Sequence, residues 1–367
     1  MQYIQIYGLI THKYWDLENK ELEAKKSATT NSIYTLIKNS TKVRVNKKSK
    51  IGIIYPESKS SCIIASLTKK ITNDINTFTY NSVNTKNSGY LKLLKKHLKI
   101  DNYNIISDNR VLNSLLSLGL LSRDMPGMAH TDSTILEFLL AIKNNGLETC
   151  LSSIYTNDIF KNISTPILLS TDIRSNLINK DIIDKDTLEK YTHRLYNDLT
   201  NDVTSLENTK VKQDKYVNIK WHLTSLAERF NQISSNIGLD IFFPYLDYKV
   251  IEYLYNLEDL DNTKYIDKIF RKLFLDINIK EYIPPQNYNE DYLNILEHEL
   301  KKILKDNSSK LLKIIDKNFV YEIIETKGKN LKENKNDKLI DYAEILAYLI
   351  QIEYWLNIYE IKIEFED

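Results

Sequence analysis

The chain has 367 residues with 50 Lys and Arg against 49 Asp and Glu, so its net charge of +1 gives no overall pull toward nucleic acid or an anionic membrane. At 42% hydrophobic and 27% charged the composition is globular and long enough for one large or two modest domains, and two distant cysteines, Cys62 and Cys150, exclude a disulfide framework or cysteine-rich zinc site and fit a reducing compartment, the cytoplasm. The eight glycines all lie more than six residues apart, which excludes both GxGxxG and GxxxxGK[ST] phosphate loops, because each needs clustered glycines to bring backbone amides onto phosphate.

In chain order, the N-terminal MQYIQIYGLITHKYWD lacks the basic start and cleavage site of a signal peptide, and no apolar run reaches the ~20 residues of a membrane span. Residues 1–48 read as a linker-like segment and a helix. Residues 51–55, IGIIY, read as a β-strand, the polar PESKS as a turn, and SCIIASLTKKI as a helix with Ile63, Ile64, Leu67 and Ile71 at helical spacing. The pattern recurs, with a strand at 76–82, a helix at 89–100 and a strand at 102–107. Alternating β and α predicts a doubly wound, mainly parallel sheet over 49–165, with ligands beyond the carboxyl ends of its strands and the 56–60 turn lining that crevice. A buried helix follows at 135–145, then a further strand and turn at 146–160, where the sheet is expected to end. From 166 to 367 the apolar spacing is helical in 184–203, 217–237, 249–260, 264–274, 294–307 and 338–360, which predicts a large helical layer, with 326–338 as a solvated loop.

The segment NIGLDIFFPYLDYKVIEYLYNL (236–257) resembles the asparagine synthetase family segment GLExRxPFLDxxLxExxxxL, with Gly238, Pro244, Leu246, Asp247 and Glu252 matching. Other pieces follow in family order. KYWDL (13–17) resembles the linker into the synthetase domain, IGIIYPESKSSCIIASL (51–67) its strand, pyrophosphate loop and helix, and CLSSIYTNDIF (150–160) its second phosphate loop. KYIDKIFRKLF (264–274) resembles the KxxLR helix, and YLIQIEYWLNIY the last helix. The resemblance implies an adenine nucleotide α-hydrolase-like fold and a chemistry in which a carboxylate attacks the α-phosphate of ATP, pyrophosphate leaves, and an amine attacks the acyl adenylate. The chain opens Met1-Gln2 with no cysteine nearby, so the expectation is a synthetase unit without its own cysteine glutaminase, whose nitrogen comes from ammonia, an amine or a separate amidotransferase subunit.

Set against the family pattern SGGxDS, this chain has Pro56-Glu57-Ser58-Lys59-Ser60-Ser61: Pro56 removes an amide, Glu57 adds a negative charge, and Ser60 replaces the metal-binding Asp. In the second loop Ser153, Ile154, Tyr155 and Thr156 stand where the family has Gly, an acid, Gly and a small residue, and Asn157 stands for the Asp, leaving Asp158 as a carboxylate in place of Glu. The family's downstream phosphate-steadying Lys has no counterpart in 283–293, and Lys264 and Lys268, shifted in register to Arg271, are the candidates that remain. The degenerate phosphate loops leave Ser58, Lys59, Ser60, Ser61 and Ser153 as candidate anion ligands, though the serines equally suit a helix cap. No histidine spacing suggests a metal. These departures predict a family member that has lost ATP- and Mg2+-dependent amide formation and acts as a non-catalytic partner or ligand-binding subunit. The alternatives are an active AMP-forming amide or peptide-bond ligase, in which ATP and Mg2+ would remain cofactors, and a nucleotide or metabolite sensor. Nucleic acid and membrane are not expected partners.

Overall fold

A computed structural model of the chain describes residues 2–4, 8–10, 15–18, 20, 26–45, 50–81, 89–161, 177–178, 186–187, 190, 194, 210–257, 261–274, 279, 290–329 and 342–364. Strands β1 (Gln2–Ile4) and β2 (Gly8–Ile10) form a small antiparallel hairpin, and α1 (Lys26–Arg44) follows. The central sheet has five parallel strands: β3 (Ile51–Ile54), β4 (Ile75–Asn81), β5 (Asn102–Ile106), β6 (Thr149–Ser152) and β7 (Asp240–Phe242), in the order β5-β4-β3-β6-β7. The chain runs outward from β3 through β4 to β5, then returns to the other side of β3 with β6. That reversal places the switch point of the sheet between β3 and β6.

β3 is buried on both faces, which is why its sequence is an unbroken IGII and not an alternating one. Gly52 allows the close approach of its neighbour, since a Cβ there would lie 2.5 Å from Cys150 Sγ and 2.7 Å from Leu147 Cδ2. Ile51 and Ile53 face one layer of helices: α1, α2 (Lys59–Lys69), α3 (Gly89–Leu93) with its π turn Leu94–Leu98, and two later helices, Tyr248–Tyr255 and Thr263–Phe274. Ile54 and Cys150 face the other layer, built from α4 (Asn109–Leu121), α5 (Ala129–Asn144) and Thr224–Asn236. The predicted doubly wound sheet is therefore present.

Beyond β6 come the one-turn helix α6 (Thr156–Phe160), α7 (Lys210–Val217), a π turn (Asn218–Leu223) and α8 (Thr224–Asn236). After β7 come α9 (Tyr248–Tyr255), α10 (Thr263–Phe274), α11 (Glu290–Lys305), α12 (Lys317–Glu325) and α13 (Tyr342–Ile358). The last three helices form an outer layer against α4 and the start of α5. Glu344 of α13 ties this layer down: its carboxylate accepts the backbone N–H groups of His130 (3.2 Å) and Thr131 (3.1 Å) and the Thr131 hydroxyl (3.0 Å) at the N-terminus of α5. One residue on, buried Asp132 accepts from the Arg229 guanidinium.

Two sequence expectations need correction. The sheet does not end at 146–160, because β7 pairs with β6 as a fifth parallel strand, Cys150 opposite Ile241. The 146–160 segment is also more than strand and turn, since α6 closes it. Most of 184–203, 281–289 and 330–341 lies outside the described residues, including the IPPQ stretch and residues 330–338 of the predicted solvated loop, whose first four residues turn the chain after α12.

The segment that carries the family resemblance acts as a set of structural pins. Gly238, at φ +68°, reverses the chain between α8 and β7, a left-handed position that glycine adopts without strain. The Pro244 carbonyl accepts the Ser40 hydroxyl at 2.8 Å, and Asp247 caps α9 through the Lys249 N–H (3.1 Å) while pairing with Arg44 (2.8 Å). Glu252 accepts the Trp15 indole N–H at 2.6 Å, which fixes the linker-like KYWDL segment to α9.

Candidate functional site

The loops after β3 and β6 leave the sheet on either side of the switch point and meet. Tyr55 turns the chain at φ +51° and Ser58 then caps α2. The cap is reciprocal: Ser58 Oγ accepts the Ser61 N–H at 3.1 Å, and Ser61 Oγ accepts the Ser58 N–H at 3.0 Å. Ser58 Oγ also lies 2.9 Å from Ser60 Oγ and 3.4 Å from Ser153 Oγ in the second loop. Ser60, Ser61 and Ser153 are buried, and the Tyr245 hydroxyl donates to the Ser60 carbonyl at 3.0 Å, so the PFLD-like segment braces this turn from below.

In the second loop Ser152 Oγ accepts the Ile154 N–H at 3.1 Å and Thr156 Oγ1 donates to the Ser153 carbonyl at 2.5 Å. Tyr155 sits at φ +68°, the left-handed conformation that favours glycine, at a position where the family pattern has glycine. Its ring packs on Phe243 with centroids 6.0 Å apart, and burial pushes its hydroxyl up to about 12. Tyr55 leans on Phe138 at 4.8 Å, and Tyr80, at the end of β4, meets the same ring at 5.5 Å. Aromatic side chains thus stand at the carboxyl ends of three neighbouring strands.

Between the loops and α10 lies a cleft of about 250 Å³ lined by Glu57, Ser58, Lys59, Ser60, Tyr90, Thr156, Asn157, Lys161, Thr263, Ile266 and Asp267. Lys59 Nζ is held by Asp267 at 2.8 Å. Glu57 is half-buried on the cleft wall, and burial raises its carboxyl above the ordinary glutamate value. The two loops bring Ser58, Lys59, Ser60, Ser61 and Ser153 together. Asp158 faces away, lining a separate small depression with Lys215 and Asn218, and its carbonyl accepts from Asn218 at 2.9 Å. Lys264 and Lys268 also lie off the cleft, their ammonium groups 5.2 and 5.8 Å from the Tyr265 ring. Sequence reasoning missed Asp267, Lys161, Thr263 and Tyr90. Asp267 carried a usable signal, as the sole acid in a helix of four cations, but its partner lies 208 positions away. Among the described residues no group of three His, Cys, Asp or Glu side chains is placed to hold a metal ion. No helix among them is long and apolar enough to cross a membrane.

Comparison with known proteins agrees with this architecture. The asparagine synthase family model matches residues 60–357. Asparagine synthetase [glutamine-hydrolyzing] 3 of Bacillus subtilis (strain 168) is 26% identical over 276 residues, covering 68% of this chain. The match takes in 44% of that relative's own length, so the chain corresponds to less than half of it. With the family model spanning most of the chain, and the sheet, the paired loops and the pinned 236–257 segment all in place, this protein belongs to the asparagine synthase family.

Proposed function

We propose that this chain has lost ATP-dependent amide formation and serves as a non-catalytic partner or ligand-binding subunit. The observation that carries the reading is the cleft wall: where the family chemistry calls for a receptor for pyrophosphate, a half-buried Glu57 carboxylate lines the space and Lys59 is already held by Asp267. A polyphosphate entering there meets a negative charge in a partly desolvated site, where Coulomb repulsion is several-fold stronger than in water. Ser60 and Asn157 stand at the two positions of the family's metal carboxylates, and neutral oxygens are poor substitutes for the anionic ligands Mg2+ takes beside phosphate. The residues present do not fit Mg-ATP. The Ser61 amide in the first turn of α2 is taken up by Ser58 Oγ, and the Ser58 amide by Ser61 Oγ, which supports the capping role of these serines over an anion site. The named relative hydrolyses glutamine, so a separate amidotransferase is among the protein partners this reading expects.

Calorimetric titration of the full chain with Mg-ATP tests the proposal. The expected result is no heat, or affinity weaker than about 1 mM, together with no pyrophosphate released from ATP in the presence of aspartate and ammonia. Replacing Pro56→Ser, Glu57→Gly, Ser58→Gly and Ser60→Asp together should create measurable nucleotide affinity, and turnover should still await Asn157→Asp. Magnesium-dependent binding by the unmodified chain, with pyrophosphate release lost on changing Ser60 or Lys59, would instead establish an amide-forming ligase with a rebuilt site.

A further inference from the structure

The net charge of +1 conceals a strong segregation. The helices covering the Ile51 and Ile53 face of the sheet share one apolar core. Residues 26–44, 59–70, 89–99 and 263–274, which make up α1, α2, α3 with its π turn, and α10, hold four, three, four and four Lys or Arg, and a single carboxylate, Asp267. The fifth helix of the layer, α9, is balanced by Lys249 and Glu252. Fifteen cations against one acid, in a chain with totals of 50 and 49, leave the remainder distinctly acidic. Of the fourteen whose side chains are described, eleven are exposed. Among the described residues the ion pairs on these segments include Lys59 with Asp267, Arg44 with Asp247, and Lys95 with Asp101 at 3.7 Å. A face of one sign repels itself in the free protein and draws an anionic surface onto it.

The face also has a receptor with shape. Between α1 and α2 a groove of about 330 Å³ is lined by Lys38, Lys42 and Lys70 around a floor of Val45, Leu67 and Ile71. The three lysines are exposed, Val45 and Leu67 are buried and Ile71 is half-buried. A ring of cations over an aliphatic floor complements carboxylates that flank an apolar side chain. Nucleic acid fits less well, because the described residues of the four segments expose no Trp, Tyr or Phe on which a base could stack. A membrane fits less well too, since Val43 is the one large apolar side chain exposed on the four basic segments among the described residues.

We propose that this basic face docks an acidic polypeptide segment, with an apolar side chain seated on the Val45, Leu67 and Ile71 floor between Lys38, Lys42 and Lys70. The inference goes beyond the reading of the nucleotide cleft and holds whether or not ATP is turned over. Fluorescence anisotropy tests it with a labelled peptide of about a dozen residues, Glu and Asp around a central Leu-Phe pair. The comparison probes are the same peptide with Gly-Gly at its centre, a short DNA duplex, and vesicles of phosphatidylserine and phosphatidylcholine. The Leu-Phe peptide should bind best, and its affinity should fall at least about tenfold between roughly 50 and 300 mM salt. Lys38→Glu, Lys42→Glu and Lys70→Glu combined should weaken it at least about tenfold, while Lys301→Glu with Lys302→Glu on α11 should change it less than about twofold. Circular dichroism confirms that both variants fold, and the salt dependence of the unmodified chain stands as a test if the triple variant does not. The proposal is overturned by absence of peptide binding at low salt, by equal affinity of the folded triple variant, or by equal affinity for the Gly-Gly peptide. Tighter binding of the duplex or the vesicles would reassign the face to nucleic acid or membrane.

Discussion

At Tyr155 the backbone and the side chain tell different stories. The left-handed turn after β6 persists with a tyrosine where the family pattern has glycine, at a cost on the order of 1 kcal/mol that the ring's packing on Phe243 offsets. The turn was legible in sequence only through the family pattern, because nothing local in SSIYTND requires a positive φ. Gly52 is a position where no side chain fits: Gly52→Ala should lower stability by about 1–3 kcal/mol, read as a shifted urea midpoint, since its Cβ would press on Cys150 Sγ and Leu147. Glu344 gives a pH test. Burial raises its carboxyl to about 7, despite the Thr131 hydrogen bonds and Arg229 that favour the charged form. The native state therefore holds this proton more tightly than the unfolded chain does. The resulting stabilisation is fully present below the unfolded value and is lost as pH rises through about 7. Glu344→Gln keeps an acceptor oxygen and cannot ionise, so its stability relative to the unmodified chain should improve between about pH 5 and pH 8, by on the order of 1–3 kcal/mol in urea titrations at the two values.

Among the elements, those carrying an unbroken apolar run or a helical apolar period were readable and β7 was not. β3, α2, β4, β5, α5, α8, α9, α10, α11 and α13 follow from runs such as IGII and from helical spacing of buried residues, because a central parallel strand and an amphipathic helix each impose a period on the sequence, whereas α7 (Lys210–Val217) and α12 (Lys317–Glu325) were not read. β7 escaped because three residues, DIF, are too few to show a period and their partner strand lies about 90 positions earlier. Its contribution is large for its length: Ile241 is buried beside Phe230 and Phe243 in the core on the α5 side. Ile241→Ala should cost about 2–4 kcal/mol in chemical denaturation, with the fluorescence of a chain keeping Trp15 alone (Trp221→Phe, Trp355→Phe) reporting the same transition. The contact of α2 with α10 through Lys59 and Asp267 was equally invisible, since a pairing 208 positions apart leaves no local trace.

For the molecule as a whole, family membership and the doubly wound sheet could be read from sequence, whereas the distribution of charge could not, because a balanced total hides opposite signs until helices distant in sequence are laid side by side. The same long-range design governs when the fold can form. Trp15 is fastened by Glu252, 237 positions later, and Arg44 by Asp247, 203 positions later. On a ribosome elongating at roughly 5–20 residues per second, the N-terminal segment waits about 10–50 s for its partners, and the apolar side of α1, with Ile33 and Ile37, stays uncovered by α10 for a similar time. Synthesis direction thus leaves apolar surface uncovered until late in translation: the half that emerges first is completed by the half that emerges last.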